Sequence, residues 1–218
     1  HGFVSKVSLD GQTVELDWLT GINSPTGVTV VGRSLFVVDY DELLEVDIRS
    51  ASIVGRFAAP DPKPALNDVV ADSDGNIFVT GSLSNTIYVL GKTSLEVWLQ
   101  DDKNLVNANG LFINQGKIVL GGAKLLFIDR VSKAILATGP TELNDIDGIS
   151  SDGCGGLMVT LINDQRLWRL RASGEAQPLN EWAIDGIDLS FFEGDLFVPR
   201  VGGSLSRYQV TPGFCELD

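Results

Sequence analysis

The chain is nearly free of histidine, because its single histidine is the terminal His1. A Ser-His-Asp or Cys-His nucleophile system therefore has no base in the body of the chain, and a zinc site built from several histidines is excluded. Cysteine is also scarce. Cys154 and Cys215 lie too far apart for a metal-binding motif. They predict either one disulfide, in an oxidising compartment, or two free thiols, and we favour the disulfide.

Long apolar runs and excess positive charge are missing too. No stretch approaches the roughly 20 apolar residues that span a membrane, and the first residues do not resemble a signal peptide. Lys and Arg number 16 against 29 Asp and Glu, which gives a formal charge of −13. This charge disfavours nucleic acid and anionic membrane as partners and is compatible with cation binding, although solubility alone would also explain it. We expect a small-molecule substrate, a monomer or dimer, and a periplasmic or secreted location rather than a cytoplasmic one.

An internal repeat organises what is present. Each copy has a small polar residue, then Gly (Asp in the second copy), a short apolar strand, a turn, and a second apolar strand. The copies are "SPTGVTVVGRSLFVVD" from Ser24, "ALNDVVADSDGNIFVT" from Ala65, "NANGLFINQGKIVLGG" from Asn107, "DIDGISSDGCGGLMVT" from Asp145 and "AIDGIDLSFFEGDLFVP" from Ala183.

A third strand and, in most copies, a fourth follow each pair, as in "TIYVLG" and "LEVWLQ" of the second copy. Four short strands in about 40 residues are typical of a β-propeller blade. The sequence therefore predicts an all-β chain, 1–218, that forms a single β-propeller domain. Its blades would begin near residues 24, 65, 107, 145 and 183.

The N-terminal segment 1–21 departs from this order, because it reads as the outer two strands of a blade. Two architectures follow. In the first, which we favour, the chain is a portion of a six-bladed propeller whose first blade is incomplete. In the alternative, five complete blades are accompanied by a peripheral hairpin.

Equivalent residues at the start of each inner strand would converge near the mouth of a central channel. They are Thr26, Asn67, Asn109, Asp147 and Asp185. Carboxylate and amide oxygens suit a hard cation such as Ca²⁺, which takes six to eight oxygen ligands. Asn and Asp before Gly are also ordinary turn residues, so each position alone would be explained by an Asx-turn. Asp68 replaces the usual Gly and is interpreted as a local turn group or a group that supports the site.

The motifs "LNDVVADSDGNIFVT", "NGLFI" and "DGISSDG" resemble the senescence-marker-protein/gluconolactonase family of six-bladed propellers. The resemblance extends over Gly2 to Val210 and implies one divalent cation, usually Ca²⁺, in the channel. Carried over, the metal ligands would be Asn109, Asp147 and Asn67. Asp147 would also be the catalytic residue, and Asn67, Asp185 and Thr26 would bind substrate.

One ligand of that family is missing here, because its first-blade Glu belongs to inner strands that this chain lacks. We therefore expect weak metal binding or none. The resemblance implies a metal-dependent hydrolase that acts on a small lactone or ester. The alternative is a non-catalytic propeller that binds a small ligand or a protein partner on the channel rim. A strictosidine synthase-like activity ranks last, since no channel Glu is evident.

Overall fold

The structure is a computed structural model, and it describes residues 2–184, 188–200, 203–210 and 214–215 of the 218. The chain divides into two compact units, His1–Ile113 and Asn114–Asp218. Among the residues with described structure, no helix is long and apolar enough to cross a membrane.

The first unit contains a hairpin sheet, two four-stranded blades and the beginning of a third blade. All neighbouring strands within the sheets β1–β2, β3–β6 and β7–β10 are antiparallel. The strands are β1 Gly2–Val7, β2 Thr13–Ile22, β3 Pro25–Val31, β4 Ser34–Asp39, β5 Glu42–Asp47, β6 Ser52–Ala58, β7 Leu66–Ala71, β8 Ile77–Gly81, β9 Thr86–Leu90, β10 Leu95–Gln100 and β11 Leu111–Asn114.

The second unit contains the other three strands of the third blade, a four-stranded fourth blade and a fifth blade of three described strands. Each described pair of successive strands within a blade is antiparallel. The strands are β12 Lys117–Leu120, β13 Leu126–Asp129, β14 Ile135–Thr138, β15 Ile146–Ser151, β16 Leu157–Leu161, β17 Asp164–Leu170, β18 Ala176–Ala183, β19 Ser190–Phe192, β20 Asp195–Arg200 and β21 Ser204–Gln209.

Strand β4 shows why the blades are so apolar. Because side chains alternate across a strand, Phe36 and Val38 join a core cluster with the second blade. Leu35 and Val37 face the other way and pack with Leu19 of the β1–β2 hairpin. The middle of the first blade is therefore buried on both faces, which explains its continuous hydrophobic run.

These observations confirm an all-β propeller in the form given as the alternative, five blades plus a separate hairpin sheet. The preferred expectation, a six-bladed propeller with an incomplete first blade, is not the form found. Strands β1 and β2 form a two-stranded sheet that packs against one face of the first blade. The disulfide expectation is also confirmed, since Cys154 and Cys215 are bonded with Cα atoms 5.5 Å apart.

Candidate functional site

A β-bulge opens the inner strand of three blades. Three steps along β7, from Leu66 to Val69, span only two steps along β8, from Gly81 to Val79. The same mismatch occurs at Pro25–Val28 of β3 and at Ile146–Ile149 of β15. The predicted residues Thr26, Asn67 and Asp147 all lie inside these bulges, where the extra residue redirects side chains.

The backbone leading into the inner strands also repeats. Ala65, Asn107 and Asp145, each two residues before a predicted site residue, have φ of 45°, 55° and 49°. Non-glycine residues rarely adopt this conformation. Two of these residues also accept a backbone hydrogen bond at their own carbonyl oxygen. Ala65 O accepts the Ser82 N–H, and Asp145 O accepts the Ile162 N–H. The polar residues at the start of these inner strands therefore follow a backbone conformation that recurs from blade to blade.

The bulge of the first blade lies directly against the second blade. The Thr26 hydroxyl donates a hydrogen bond to Asn67 O of the second blade. A Cβ atom placed on Gly27 would lie 2.7 Å from Asp68 Oδ1 and 2.8 Å from Asp68 Cα. Only glycine permits this approach. Thr26, predicted to bind substrate, therefore has its hydroxyl committed to a main-chain oxygen.

Asp68 links the second blade to the start of the third. Its Oδ1 accepts the Val69 N–H at 2.7 Å and its Oδ2 accepts the Leu111 N–H at 2.7 Å. Thr80, which is fully buried, accepts the Asp68 N–H at 3.0 Å and donates to Asn109 O at 2.8 Å. The carboxylate therefore supports main-chain geometry beside the site, as the sequence interpretation of Asp68 expected.

Asn109 is the most unusual polar residue in this region. It is only 7% exposed, and its side-chain Oδ1 is buried without a hydrogen-bond partner. Asn67, which precedes Asp68 in the adjacent bulge, is half-buried. Buried acceptors are nearly always paired. Asn109 Oδ1 and the Asn67 amide are therefore candidate ligand contacts in the first unit.

The second unit has the same bulge and the same close approach of a glycine, but Asp147 stands where the second blade has Asn67. Asp147 is half-buried in its bulge, and the next residue, Gly148, donates its N–H to the buried Thr160 hydroxyl at 2.8 Å. A Cβ atom on Gly148 would lie 2.8 Å from Asp188 Cα. Asp188 Oδ1 accepts the Leu189 N–H at 2.7 Å, as Asp68 does with Val69. Burial raises the pKa of Asp188, and the Leu189 N–H opposes that rise.

The last repeat differs from its sequence alignment, which pairs Gly186 with Asp68. Phe192 pairs with Asp195 across the β19–β20 turn, and Phe191 and Ser190 pair with the two residues that follow. This register and the contact with Gly148 place Asp188 at the position that Asp68 holds in the second blade. Asp185, the predicted substrate-binding residue, lies outside the described residues.

The oxygen atoms of these residues can be compared with the ligands that a divalent cation requires. The buried Asn109 oxygen fits a cation ligand, and Asn67 offers a second amide oxygen. In the described part of the chain, however, no group of three or more His, Cys, Asp or Glu residues is placed to hold a metal ion. The amide oxygens of Asn109 and Asn67 are neutral donors, and they correspond to two of the three ligands that the family resemblance implies.

Sequence reasoning missed two groups at this site. One is Asp188, hidden by the misaligned last repeat. The other is a buried threonine on the second strand of a blade: Thr80 joins its own inner strand to Asn109 O of the third blade, and Thr160 accepts the Gly148 N–H of its own inner strand. The shared ending of "IFVT" and "LMVT" was its signal. A threonine at the buried end of an apolar strand needs a partner for its hydroxyl.

No family model matches the chain, and no curated protein matches it either. Solved structures do match. A streptogramin B lyase is similar with a TM-score of 0.69 and 17% identity, over 89% of this chain and 72% of the lyase chain. Virginiamycin B lyase from Staphylococcus aureus gives a TM-score of 0.64 and 14% identity, over 87% and 71% of the two chains.

A protein-binding neighbour is as similar as the enzymes. A chain of a nidogen/laminin complex gives a TM-score of 0.72 and 15% identity, over 91% of this chain and 80% of its own. At such identities the likeness concerns the fold alone, and one fold hosts unrelated functions. These neighbours, together with the repeated four-stranded sheets, show that the chain has the β-propeller fold.

Proposed function

We propose that the protein binds a small ligand where the bulged inner strands begin, with Asn109 Oδ1 as the primary contact. The observation that supports this is the buried, unpartnered oxygen. Leaving such an acceptor unpaired costs roughly 1–3 kcal/mol. A binding site retains that cost because the ligand supplies the missing partner. The ligand should therefore present a cation or a hydrogen-bond donor.

The surroundings of Asn109 support a preformed site. Its carbonyl is held by Thr80, and Leu111, two residues later, is held by Asp68. The backbone on both sides of the side chain is therefore fixed by neighbouring strands. A preorganised acceptor loses little entropy when it binds. Asn67, in the adjacent bulge, is the second proposed contact.

The test is to replace Asn109 with Leu and measure urea unfolding without ligand. The change removes the unpaired oxygen and keeps the backbone bond from Thr80, so the free energy of unfolding should rise by about 1–2 kcal/mol. Asn104 is the matched control, because its amide donates to Asp101 Oδ2 at 2.7 Å. Asn104→Leu should destabilise the protein. A loss of stability in Asn109→Leu would show that the amide is structural and would refute the proposal.

Calcium titration of the intact chain tests the cation form of the proposal. Heat of binding that disappears in Asn109→Leu would support a cation at this oxygen. Heat that is unchanged in the variant would place any calcium elsewhere. The absence of heat in the parent chain would leave only ligands that donate a hydrogen bond.

A metal-dependent hydrolase of the gluconolactonase type is the second candidate. The observation that favours it is Asp147, which occupies in the fourth blade the bulge position that Asn67 occupies in the second. A divalent cation, Ca²⁺ in the family it resembles, would polarise a lactone or ester carbonyl. Asn67 and Asn109 would orient the substrate, and Asp147 would accept a proton from water. Calcium-dependent lactone hydrolysis that is lost in Asp147→Asn would establish this activity.

A periplasmic or secreted location is proposed with either function. The support is the bond between Cys154 and Cys215. Disulfides persist in oxidising compartments and are rare in the cytosol. Fractionation of cells that produce the full-length protein, with thiol labelling of each fraction, tests this location.

A further inference from the structure

The second unit contains a cavity that the inner-strand site does not use. Its volume is about 560 Å³, which is sufficient for a small molecule. Its walls come from the turn after β11, the end of β14, the β15–β16 turn and the β17–β18 turn. The lining residues that matter here are Asn114, Gln115, Phe127, Gly155, Gly156 and Arg171.

The charge of this lining is unusual for such an acidic chain. The chain has 29 Asp and Glu residues against 16 Lys and Arg. None of the described residues that line the cavity is Asp or Glu, and Arg171 is the one with a charged side chain. The Arg171 side chain is only 16% exposed. A sheltered cation in a wall without carboxylates favours an anionic ligand.

The ion pair that Arg171 makes with Glu175 is a weak competitor for such a ligand. Its Nη1 lies 3.4 Å from Glu175 Oε2, and the Glu175 side chain is 63% exposed. Exposed pairs of this kind contribute about 0–1 kcal/mol. A carboxylate inside the cavity would be less screened and could accept two parallel N–H bonds from the guanidinium.

The rest of the wall is apolar, amide-bearing and fixed in place. Phe127 offers an aromatic surface, and Asn114 and Gln115 offer amides. Gly156 donates its N–H to the buried Asp152 carboxylate at 2.8 Å. The disulfide of Cys154 anchors the same turn. This wall is therefore formed before any ligand arrives, which lowers the cost of binding.

We propose that this cavity binds a small organic carboxylate with an aromatic or apolar body. The carboxylate would pair with Arg171 and the body would pack against Phe127. The inference stands apart from the function proposed for the inner strands, because it uses different residues and a different chemistry.

Benzoate is the probe, and benzamide is its uncharged counterpart of the same shape. In an NMR titration of the full chain, benzoate should shift the amide signals of Gly155 and Gly174, which line the cavity. Benzamide should bind roughly tenfold more weakly, since a charge-assisted hydrogen bond is roughly twice as strong as a neutral one. Arg171→Met should abolish that difference, and Glu175→Gln should tighten benzoate binding a few-fold by removing the competing carboxylate.

Arg166→Met is the matched control. It removes an arginine of β17 that pairs with Asp164, outside the cavity, and should leave benzoate binding unchanged. If Arg171→Met does not fold, Phe127→Leu replaces it and should weaken benzoate and benzamide alike. The proposal is overturned if benzoate shifts neither glycine, if it binds no better than benzamide, or if Glu175→Gln weakens it.

Discussion

The second and fourth blades use the same hairpin turn with different partners. In the second blade, Asp72 Oδ1 accepts the N–H groups of Asp74 and Asn76, each at 2.9 Å. In the fourth, Asp152 Oδ1 accepts those of Cys154 and Gly156, at 2.7 and 2.8 Å. The Oδ1 atom therefore makes the same two backbone contacts in both turns. The turns are distinguished by the partner of the other carboxylate oxygen, Oδ2.

The Oδ2 atoms of the two aspartates accept hydrogen bonds from different kinds of partner. Asp72 Oδ2 accepts the Asn76 side-chain amide at 2.8 Å, within the same turn. Asp152 Oδ2 accepts Arg169 Nε of β17 at 2.9 Å. Both members of this ion pair are almost completely buried. The comparison shows that one sequence position can bind the side-chain amide of its own turn or take part in a buried long-range network.

Arg169 extends the network of the fourth blade to the C-terminal segment. Its Nη1 donates to Phe214 O at 3.1 Å, and its guanidinium lies 4.4 Å from the Phe214 ring centre. Phe214 also joins the core cluster of the fourth and fifth blades. The disulfide of Cys215 fixes the next residue. The fourth-blade turn is thus the place where three distant parts of the chain are joined.

The largest expected effect comes from breaking this buried pair. Asp152→Asn keeps the turn acceptors but leaves the Arg169 guanidinium without its buried counter-charge, so the free energy of unfolding should fall by roughly 3–5 kcal/mol. Asp72→Asn makes the same chemical change in the local turn and should cost only about 1–2 kcal/mol. Urea unfolding of both variants measures the difference.

A double variant isolates the ionic part of this prediction. Adding Arg169→Met to Asp152→Asn removes the unpaired charge and should restore part of the lost stability. Equal losses for Asp72→Asn and Asp152→Asn would contradict the distinction between a local turn and an anchor.

The disulfide gives the next effect. Reduction by a dithiol, or replacement of Cys154 and Cys215 with Ser, should lower the free energy of unfolding by about 2–4 kcal/mol, because the bond joins residues 61 positions apart. Hydrogen exchange should rise in the Asp152 turn and remain unchanged in the Asp72 turn. The serine variant serves as the control, since the dithiol should not affect it. Equal exchange in both turns would show that the bond stabilises the chain without anchoring this turn.

The sequence predicted the repeat and many strand positions well, since "TIYVLG" contains β9 and "LEVWLQ" coincides with β10. Period and apolar alternation determine strands within each blade, and Gly75 and Gly155 occupy left-handed turn positions. Both signals are local and therefore visible in one sequence.

Contacts between blades were harder to predict. The carboxylate of Asp68 reaches Leu111, and Arg169 reaches Phe214, across 43 and 45 residues. No local pattern specifies such pairs. The candidate site was predicted as a set of equivalent positions, but the unpaired oxygen of Asn109 emerges only from three-dimensional burial.

The smallest effect concerns the third strands, where an aromatic side chain of each blade donates a hydrogen bond to a carboxylate. Tyr88 OH of the second blade donates to Asp61 Oδ2 and lies 2.7 Å from Ser84 Oγ. Trp168 Nε1 of the fourth donates to Asp164 Oδ2 at 3.0 Å. The hydrogen bond from Arg166, followed by that from Trp168, lowers the pKa of Asp164 to about 2 against an opposing effect of burial. Burial raises the pKa of Tyr88 to about 12, so its hydroxyl stays protonated in acid.

The fourth-blade contact should respond to acid through Asp164. Because the folded-state pKa of Asp164 lies below its ordinary 3.8, its contribution to stability is present above pH 3.8 and is lost as pH falls through about 2. The contribution should be at most about 1 kcal/mol, since the Arg166 partner is solvent-exposed. The urea midpoints of the parent chain and Asp164→Asn should differ at pH 5 and converge near pH 2. A constant difference for Asp164→Asn would show that its carboxylate does not stabilise the fold through charge.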